Sequence, residues 1–303
     1  MSLLPEYPHF REIRLDDAAI FNKYFQKHPP LISEYTFTNL FMWRNYYQFA
    51  WTLWNGHLCI LAQHPAHNPF FLPPVGDSNS IRECIIQCIR HLSSKGFSGE
   101  VQRIPEVIID QHFKDAQELE VLSDRNNSDY VYLSEDLIKL PGNRYHRKKN
   151  QINQFKKKYT FHYQPLTPEL VQQCLTLENH WCDLKHCDQV PSLSGEEQAI
   201  HEALTNMQAL NFTGGTIVIN GKIEAFSLGE RLNDDTAVIH IEKANPAFEG
   251  LYQTLSQMFT EQGCSCFTYI NREQDLGEGG LQQAKLSYHP HHFVNKFTIR
   301  LKS

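Results

Sequence analysis

The sequence predicts a mixed α/β chain of two tandem domains, and three observations carry that reading. Its 303 residues exceed the roughly 100–200 usual for one domain. Apolar residues at helical spacing alternate with short β-rich runs joined by Asn-Gly turns. A basic stretch and the prolines at 165 and 168 then interrupt the chain midway. The boundary is placed there, giving domains 1–165 and 166–303.

Each element follows from local pattern. Residues 47–62 read as strands around Asn55-Gly56, a dipeptide that tolerates the positive φ of a tight hairpin. Ile81, Cys84, Ile85, Cys88, Ile89 and Leu92 recur at spacings of three and four, with Ser80 and Glu83 as a capping box and Gly96 as a stop. After the turn at Pro141-Gly142, residues 144–159 contain no Gly or Pro and set Ile152 and Phe155 three apart, as an amphipathic helix does. Residues 160–163 read as a short strand.

The second half shows the same logic. Ser194 and Glu197 offer another capping box before Ala199, Ile200, Ala203, Leu204, Met207 and Leu210. Residues 216–219, Asn220-Gly221 and 222–228 spell strand, turn, strand, and 236–242 adds a third strand. Leu251, Leu255, Met258 and Phe259 define the next helix, closed by Gly263. Strand 266–270, a short helix 281–288 and strand 293–301 finish the chain. Helix, three-strand meander, helix, strand, helix, strand is the order of a Gcn5-related N-acyltransferase. The expected fold class is therefore α/β with mixed sheets, as two tandem Gcn5-related N-acyltransferase-like domains.

Composition excludes some classes. With 41% hydrophobic and 20% charged residues, the chain has the apolar surface to fold and is neither fibrous nor disordered. No run approaches the roughly 18 apolar residues of a membrane span, and the start lacks the basic and apolar segments of a signal peptide. The reading is a soluble, cytoplasmic protein whose eight cysteines are reduced and act as small hydrophobes. A net charge of −6 argues against wholesale nucleic-acid binding. Locally the balance reverses: residues 137–168 hold no acid, yet carry Lys139, Arg144, Arg147, Lys148, Lys149, Lys156, Lys157 and Lys158. Such a run is either a solvated helix face or a surface for a polyanion.

The chemistry is expected where the strands flanking the central helix splay apart. Period-2 alternation sets His240 and Glu242 on one strand face and Ile239 and Ile241 on the other. The opposite wall is crowded with Asn271, Arg272, Glu273 and Asp275. These charges form either a site or an internal ion-pair network. Residues 245–250 read Asn-Pro-Ala-Phe-Glu-Gly, one glycine with a proline and a glutamate, where a coenzyme A pyrophosphate needs bare amides. The Gly277-Glu278-Gly279-Gly280 run is an anion cradle or a flexible turn. His180, Cys182, His186 and Cys187, and likewise His289, His291 and His292, lack the paired spacing of a structural zinc site, so no metal is expected.

Asp129-Tyr130, Gly142 to Asn150, Gly214-Gly215 with Gly221-Lys222-Ile223, Ile239 to Ala244, Tyr269 to Glu273, Asp275-Leu276-Gly277, and Gly280-Leu281 with Ala284-Lys285 and Ser287-Tyr288 together resemble the phosphatidylglycerol lysyltransferase C-terminal domain family, which has stand-alone bacterial members. The likeness runs from about residue 21 to 297, and the basic helix also resembles its counterpart in Fem-type peptidoglycan aminoacyltransferases. The resemblance implies tandem acyltransferase-like domains and an aminoacyl-tRNA donor. The family's multi-span membrane region is missing from this sequence, and the acceptor, whether small molecule, lipid headgroup or peptide, is not implied. On this reading Glu242 or Asp275 is the base or amine-binding group, and Arg272, Lys243 and Lys285 act electrostatically. His240, Asn271, Glu273 and Tyr288 line the substrate, and Arg144, Arg147, Lys148, Lys149 and Asn150 guide tRNA or another anion. The alternatives are a coenzyme A-dependent N-acyltransferase and a non-catalytic anion- or RNA-binding protein of the same fold.

Overall fold

The structure, a computed structural model, describes residues 4–302. Residues 1–3, part of the start read as lacking a leader, lie outside them. Contacts divide the chain into two compact units. The first holds the chain up to Asp129 together with Gln274–Leu281 and the residues from Phe293 on; the second holds Tyr130–Glu273 and Gln282–His292. The expected boundary near residue 165 lies inside the second unit. Strand pairing is the reason, because the segment after the basic helix joins the second sheet and the end of the chain returns to the first.

The first unit is built on strands Arg11–Glu12 (β1), Ala50–Trp54 (β2), His57–Ala62 (β3), Phe70–Phe71 (β4), Glu100–Pro105 (β5) and Leu119–Ser123 (β6). The second unit's strands are Asp129–Leu133 (β7), Phe161–Pro165 (β8), Thr213–Ile219 (β9), Lys222–Arg231 (β10), Thr236–Ala244 (β11), Tyr269–Asn271 (β12) and His292–Val294 (β13). The last strand, Lys296–Leu301 (β14), closes the first sheet in the order β1-β2-β3-β4-β5-β14-β6, and the second runs β13-β7-β12-β11-β10-β9-β8. Both sheets mix parallel and antiparallel pairs, so the fold is the mixed α/β class that the sequence predicts.

Both Asn-Gly hairpins form as read. Asn55 and Gly56 take φ 50° and 80° between Trp54 and its partner His57, and Asn220 and Gly221 take 51° and 77° between Ile219 and Lys222. The capping boxes do not. Ser80 makes no side-chain cap bond to helix Ile81–Ser94 (α1), because Asp77 one turn earlier accepts from the Asn79 amide. Ser194 lies inside helix Pro191–Thr205, where a proline at the first turn starts the helix earlier. The predicted final strand breaks at Asn295, each half joining a different sheet.

In the first unit α1 buries Cys84, Ile85, Cys88, Ile89 and Leu92 against Cys59, Phe71, Val101, Ile104 and Ile299. Beside this apolar core lies a charged one. Lys296, 0% exposed, donates to Glu34 at 2.7 and 2.8 Å and to Asp129 at 2.7 Å, while Arg103 stands 3.5 Å from Glu34. Ser33 donates from its amide and hydroxyl to Asp129. A buried ammonium is tolerated only when paired in this way.

In the second unit the basic segment folds as helix His146–Lys158 (α2), with Ile152 and Phe155 buried as predicted. Helices Val171–Lys185 (α3) and Pro191–Thr205 (α4) follow. Helix Leu251–Gly263 (α5) packs Leu251 and Leu255 on Ile217, Ile219, Ala225 and Ala244, with Phe155 of α2 in the same cluster. Cys182 and Cys187 are joined by a disulfide, against the expectation that every cysteine is reduced. The left-handed residue His186 ends α3 and turns Cys187 back toward Cys182. Among the described residues no helix is long and apolar enough to cross a membrane.

Candidate functional site

The splay that the sequence predicts is present. Parallel pairing of β11 and β12 runs from Thr236 with Tyr269 to Val238 with Asn271 and stops there, while β11 continues to Ala244. The open strand edge carries Glu242. From the other wall comes Arg272, and the two side chains, 11% and 14% exposed, pair through Glu242 Oε2 and Arg272 Nη2. That contact uses one oxygen of the carboxylate and one terminal nitrogen of the guanidinium. Glu242 Oε1 and Arg272 Nη1 are buried and have no hydrogen-bond partner among the described residues. An unpaired acceptor beside an unpaired donor is costly unless a ligand or water completes it.

Three more groups surround the pair. The Arg272 guanidinium carbon lies 5.0 Å from the Tyr288 ring centre and 5.8 Å from that of Tyr132. Burial pushes the Tyr288 hydroxyl up to about 12, opposed by Arg272, so it is a neutral donor. Lys148 of α2 sets its ammonium 4.2 Å from the Tyr288 ring centre. Burial first, then the charges of Arg272 and Arg147, lower that ammonium to about 8. Lys285 donates to the Arg272 carbonyl at 2.6 Å, and its own carbonyl accepts from the Tyr132 hydroxyl at 2.8 Å. The buried Asn271 side chain accepts from the Glu273 amide at 2.8 Å, holding the turn that aims Arg272.

The other expected members stand elsewhere. Asp275 belongs to the first unit and is fully buried, its carboxylate accepting from the Gly277 amide at 2.9 Å and facing Arg125 at 3.4 Å. It shapes its own turn, since Leu276 and Gly277 both take positive φ. Alternation explains Lys243, which follows Glu242 and so faces the opposite side of the sheet. There it lies 3.4 Å from the Trp181 ring centre, 2.8 Å from Glu196 and 3.4 Å from Glu178. Burial raises Glu178 to about 7 against the pull of Lys243. His240 and Glu273 are committed to each other: the buried imidazole stands 2.7 Å from Glu273 and 3.0 Å from Glu230.

That histidine makes a pH prediction. Burial alone would lower its basicity, but the two carboxylates outweigh it and raise the imidazolium to about 9. Its folded value is above its unfolded one, so the stabilisation is complete below about pH 6.5 and lost as pH rises through about 9. Urea unfolding between pH 6 and 9.5 is expected to show about 3 kcal/mol of decline from this group, and His240→Gln to remove that decline.

On the basic helix, Arg144 pairs with Asp136 at 2.8 Å, and Asn150 bonds to His146. Arg147, Lys148 and Lys149 have no carboxylate partner among the described residues. Sequence reasoning set Lys148 only on the anion surface and missed Tyr132; neither pattern signals a place beside Glu242. Two hollows of about 250 and 260 Å³ lie apart from this cluster, one against Arg82 and Arg90, the other lined by Leu133, Ile138 and Phe267.

The N-terminus of α5 also has a definite neighbour. A Cβ on Gly250, which caps it with φ 85°, would lie 2.5 Å from the Gln151 carbonyl and 3.0 Å from Phe155, both on α2. The basic helix packs where this fold would otherwise present a helix end to an anion.

Comparisons with known proteins agree with this architecture. A conserved protein of unknown function from Bacteroides thetaiotaomicron superimposes with a TM-score of 0.89 at 31% identity, over 97% of this chain and 99% of that one. The structure of L-PGS from Bacillus licheniformis aligns with a TM-score of 0.63 at 14% identity, over 100% of this chain and 95% of that one. A search of curated proteins finds no match. Residues 26–300 match the family described as phosphatidylglycerol lysyltransferase, C-terminal. With nine-tenths of its length matched, its two mixed sheets and its splayed strand edge, the chain belongs to that family.

Proposed function

We propose that this protein is an aminoacyltransferase that moves an amino acid from aminoacyl-tRNA to an acceptor. The observation that carries the reading is the half-used pair of Glu242 and Arg272, beside Lys148 from the basic helix. An aminoacyl ester has an amino group that donates and a carbonyl oxygen that accepts. Glu242 Oε1 takes the first, and Arg272 Nη1 the second. As the acceptor's nucleophile attacks the carbonyl carbon, the oxygen gains negative charge, which Arg272 and Lys148 stabilise. The acyl–oxygen bond to the tRNA ribose breaks; the Tyr288 hydroxyl gives its proton to the leaving oxygen and takes up the proton that the attacking nucleophile loses. Arg147 and Lys149, on the same helix as Lys148, attract the polyanion.

The test is incubation of the protein with tRNAs charged with labelled amino acids and a bacterial extract. Transfer of label that requires the charged tRNA is expected. No such transfer for any amino acid would overturn the reading. The helix packing against Gly250 argues against the coenzyme A alternative, so millimolar acetyl or longer acyl thioesters are expected to leave the melting temperature unchanged, whereas a rise would favour that donor. If the protein only binds RNA, substituting Arg147, Lys148 and Lys149 abolishes binding, and Glu242→Gln leaves binding unchanged.

A further inference from the structure

We propose that Cys59, Cys84 and Cys88 form a buried three-sulfur site for one soft monovalent cation, of which copper(I) is the example. Cys59 stands on β3, and Cys84 and Cys88 lie one turn apart on α1. Strand and helix thereby aim three thiols at one point. Their sulfurs all lie within 4.8 Å of one another, Cys59 and Cys84 at 3.6 Å, and the residues are 0%, 3% and 0% exposed. An ion among three sulfurs that lie no more than 4.8 Å apart stands within about 2.8 Å of each, a reach that takes in the ~2.3 Å metal–thiolate bond.

The surroundings select the ion. Among the described residues no His, Asp or Glu completes the group; the core that holds the three thiols includes the apolar Leu61, Phe71, Ile81 and Ile85, and the Cys59 thiol also lies 3.9 Å from the His57 carbonyl. Three sulfur donors, with no His, Asp or Glu in the group among the described residues, suit a three-coordinate soft ion such as copper(I) better than tetrahedral zinc. Binding replaces the thiol protons, which pass to solvent, with sulfur-to-ion bonds and changes no oxidation state.

The experiment uses the full chain with the exposed Cys266 changed by Cys266→Ser, and copper(I) held by ascorbate and a chromogenic competitor. One equivalent of copper per chain is expected, and Cys59→Ala and Cys84→Ala are expected to weaken its retention at least tenfold. Failure to retain copper, or equal retention by both variants, would show that the thiols serve only as core side chains. X-ray absorption of the copper-loaded parent decides the matter should the variants not fold. A shell of three sulfurs supports the site, and a shell containing nitrogen or oxygen overturns it.

Discussion

Replacing Arg272 by methionine is expected to lower stability by roughly 3–5 kcal/mol and to abolish transfer. The guanidinium is the charged partner of Glu242, and both side chains are largely buried. Removing it strands a carboxylate that already has one unpaired oxygen. Glu242→Gln keeps an oxygen acceptor and a donor of similar shape, so its loss of stability is smaller, but it removes the charge that holds the substrate amine. Transfer is then expected to fall by about 100-fold or more, the scale of losing one preorganised electrostatic contact at a reacting centre. The double variant Glu242→Gln/Arg272→Met separates the two roles. It is expected to recover most of the stability lost by Arg272→Met and none of the transfer. Urea unfolding and single-turnover transfer measure the two effects. A fully active Glu242→Gln protein would remove Glu242 from the chemistry, and a stable but inactive single variant at Arg272 would show that the pair is not structural.

Lys296→Met is expected to produce a comparable loss in the first unit, roughly 3–5 kcal/mol at neutral pH. The ammonium has no solvent exposure and lies between two buried carboxylates, those of Glu34 and Asp129. Without it, Arg103 alone compensates Glu34, from 3.5 Å. Burial already raises the Glu34 carboxyl above its ordinary range, while Lys296 pulls it down. In the variant that pull is absent, and Glu34 takes up a proton more readily. The deficit is therefore expected to shrink as pH falls, because protonation removes the uncompensated charge. Urea unfolding at pH 7 and pH 5 checks this, and a deficit that is constant across that range would mean that lost packing, not charge, sets the effect.

The two variants also show where reading residues in order stops being enough. Lys296 looks like an ordinary strand lysine beside Asn295, and nothing within ten positions announces Glu34 or Asp129. Arg272, Glu273 and Asp275 look alike at the tip of β12. The structure commits Arg272 to Glu242, Glu273 to His240, and Asp275 to a turn of the other unit. Lys148 reads as one cation among eight, and only packing of α2 brings it against Tyr288. The disulfide and the three-thiol cluster follow the same rule, since they join cysteines through a helix end and across a strand and a helix.

By itself the sequence determined what local physics governs. It set both Asn-Gly hairpins, the apolar stripes of α1 and α2, and the element order of the second half, because each depends on steric limits and periodicities a few residues long, whereas the alternation expected of His240 and Glu242 is interrupted by a register shift at His240. The tertiary structure alone decided which opposite charges meet, which sheet the last strand joins, and that Lys243 and Asp275 stand apart from Glu242. Pairing energy between charged or hydrogen-bonding groups depends on distance and burial in space, and residues far apart in the chain acquire both only when the sheets close.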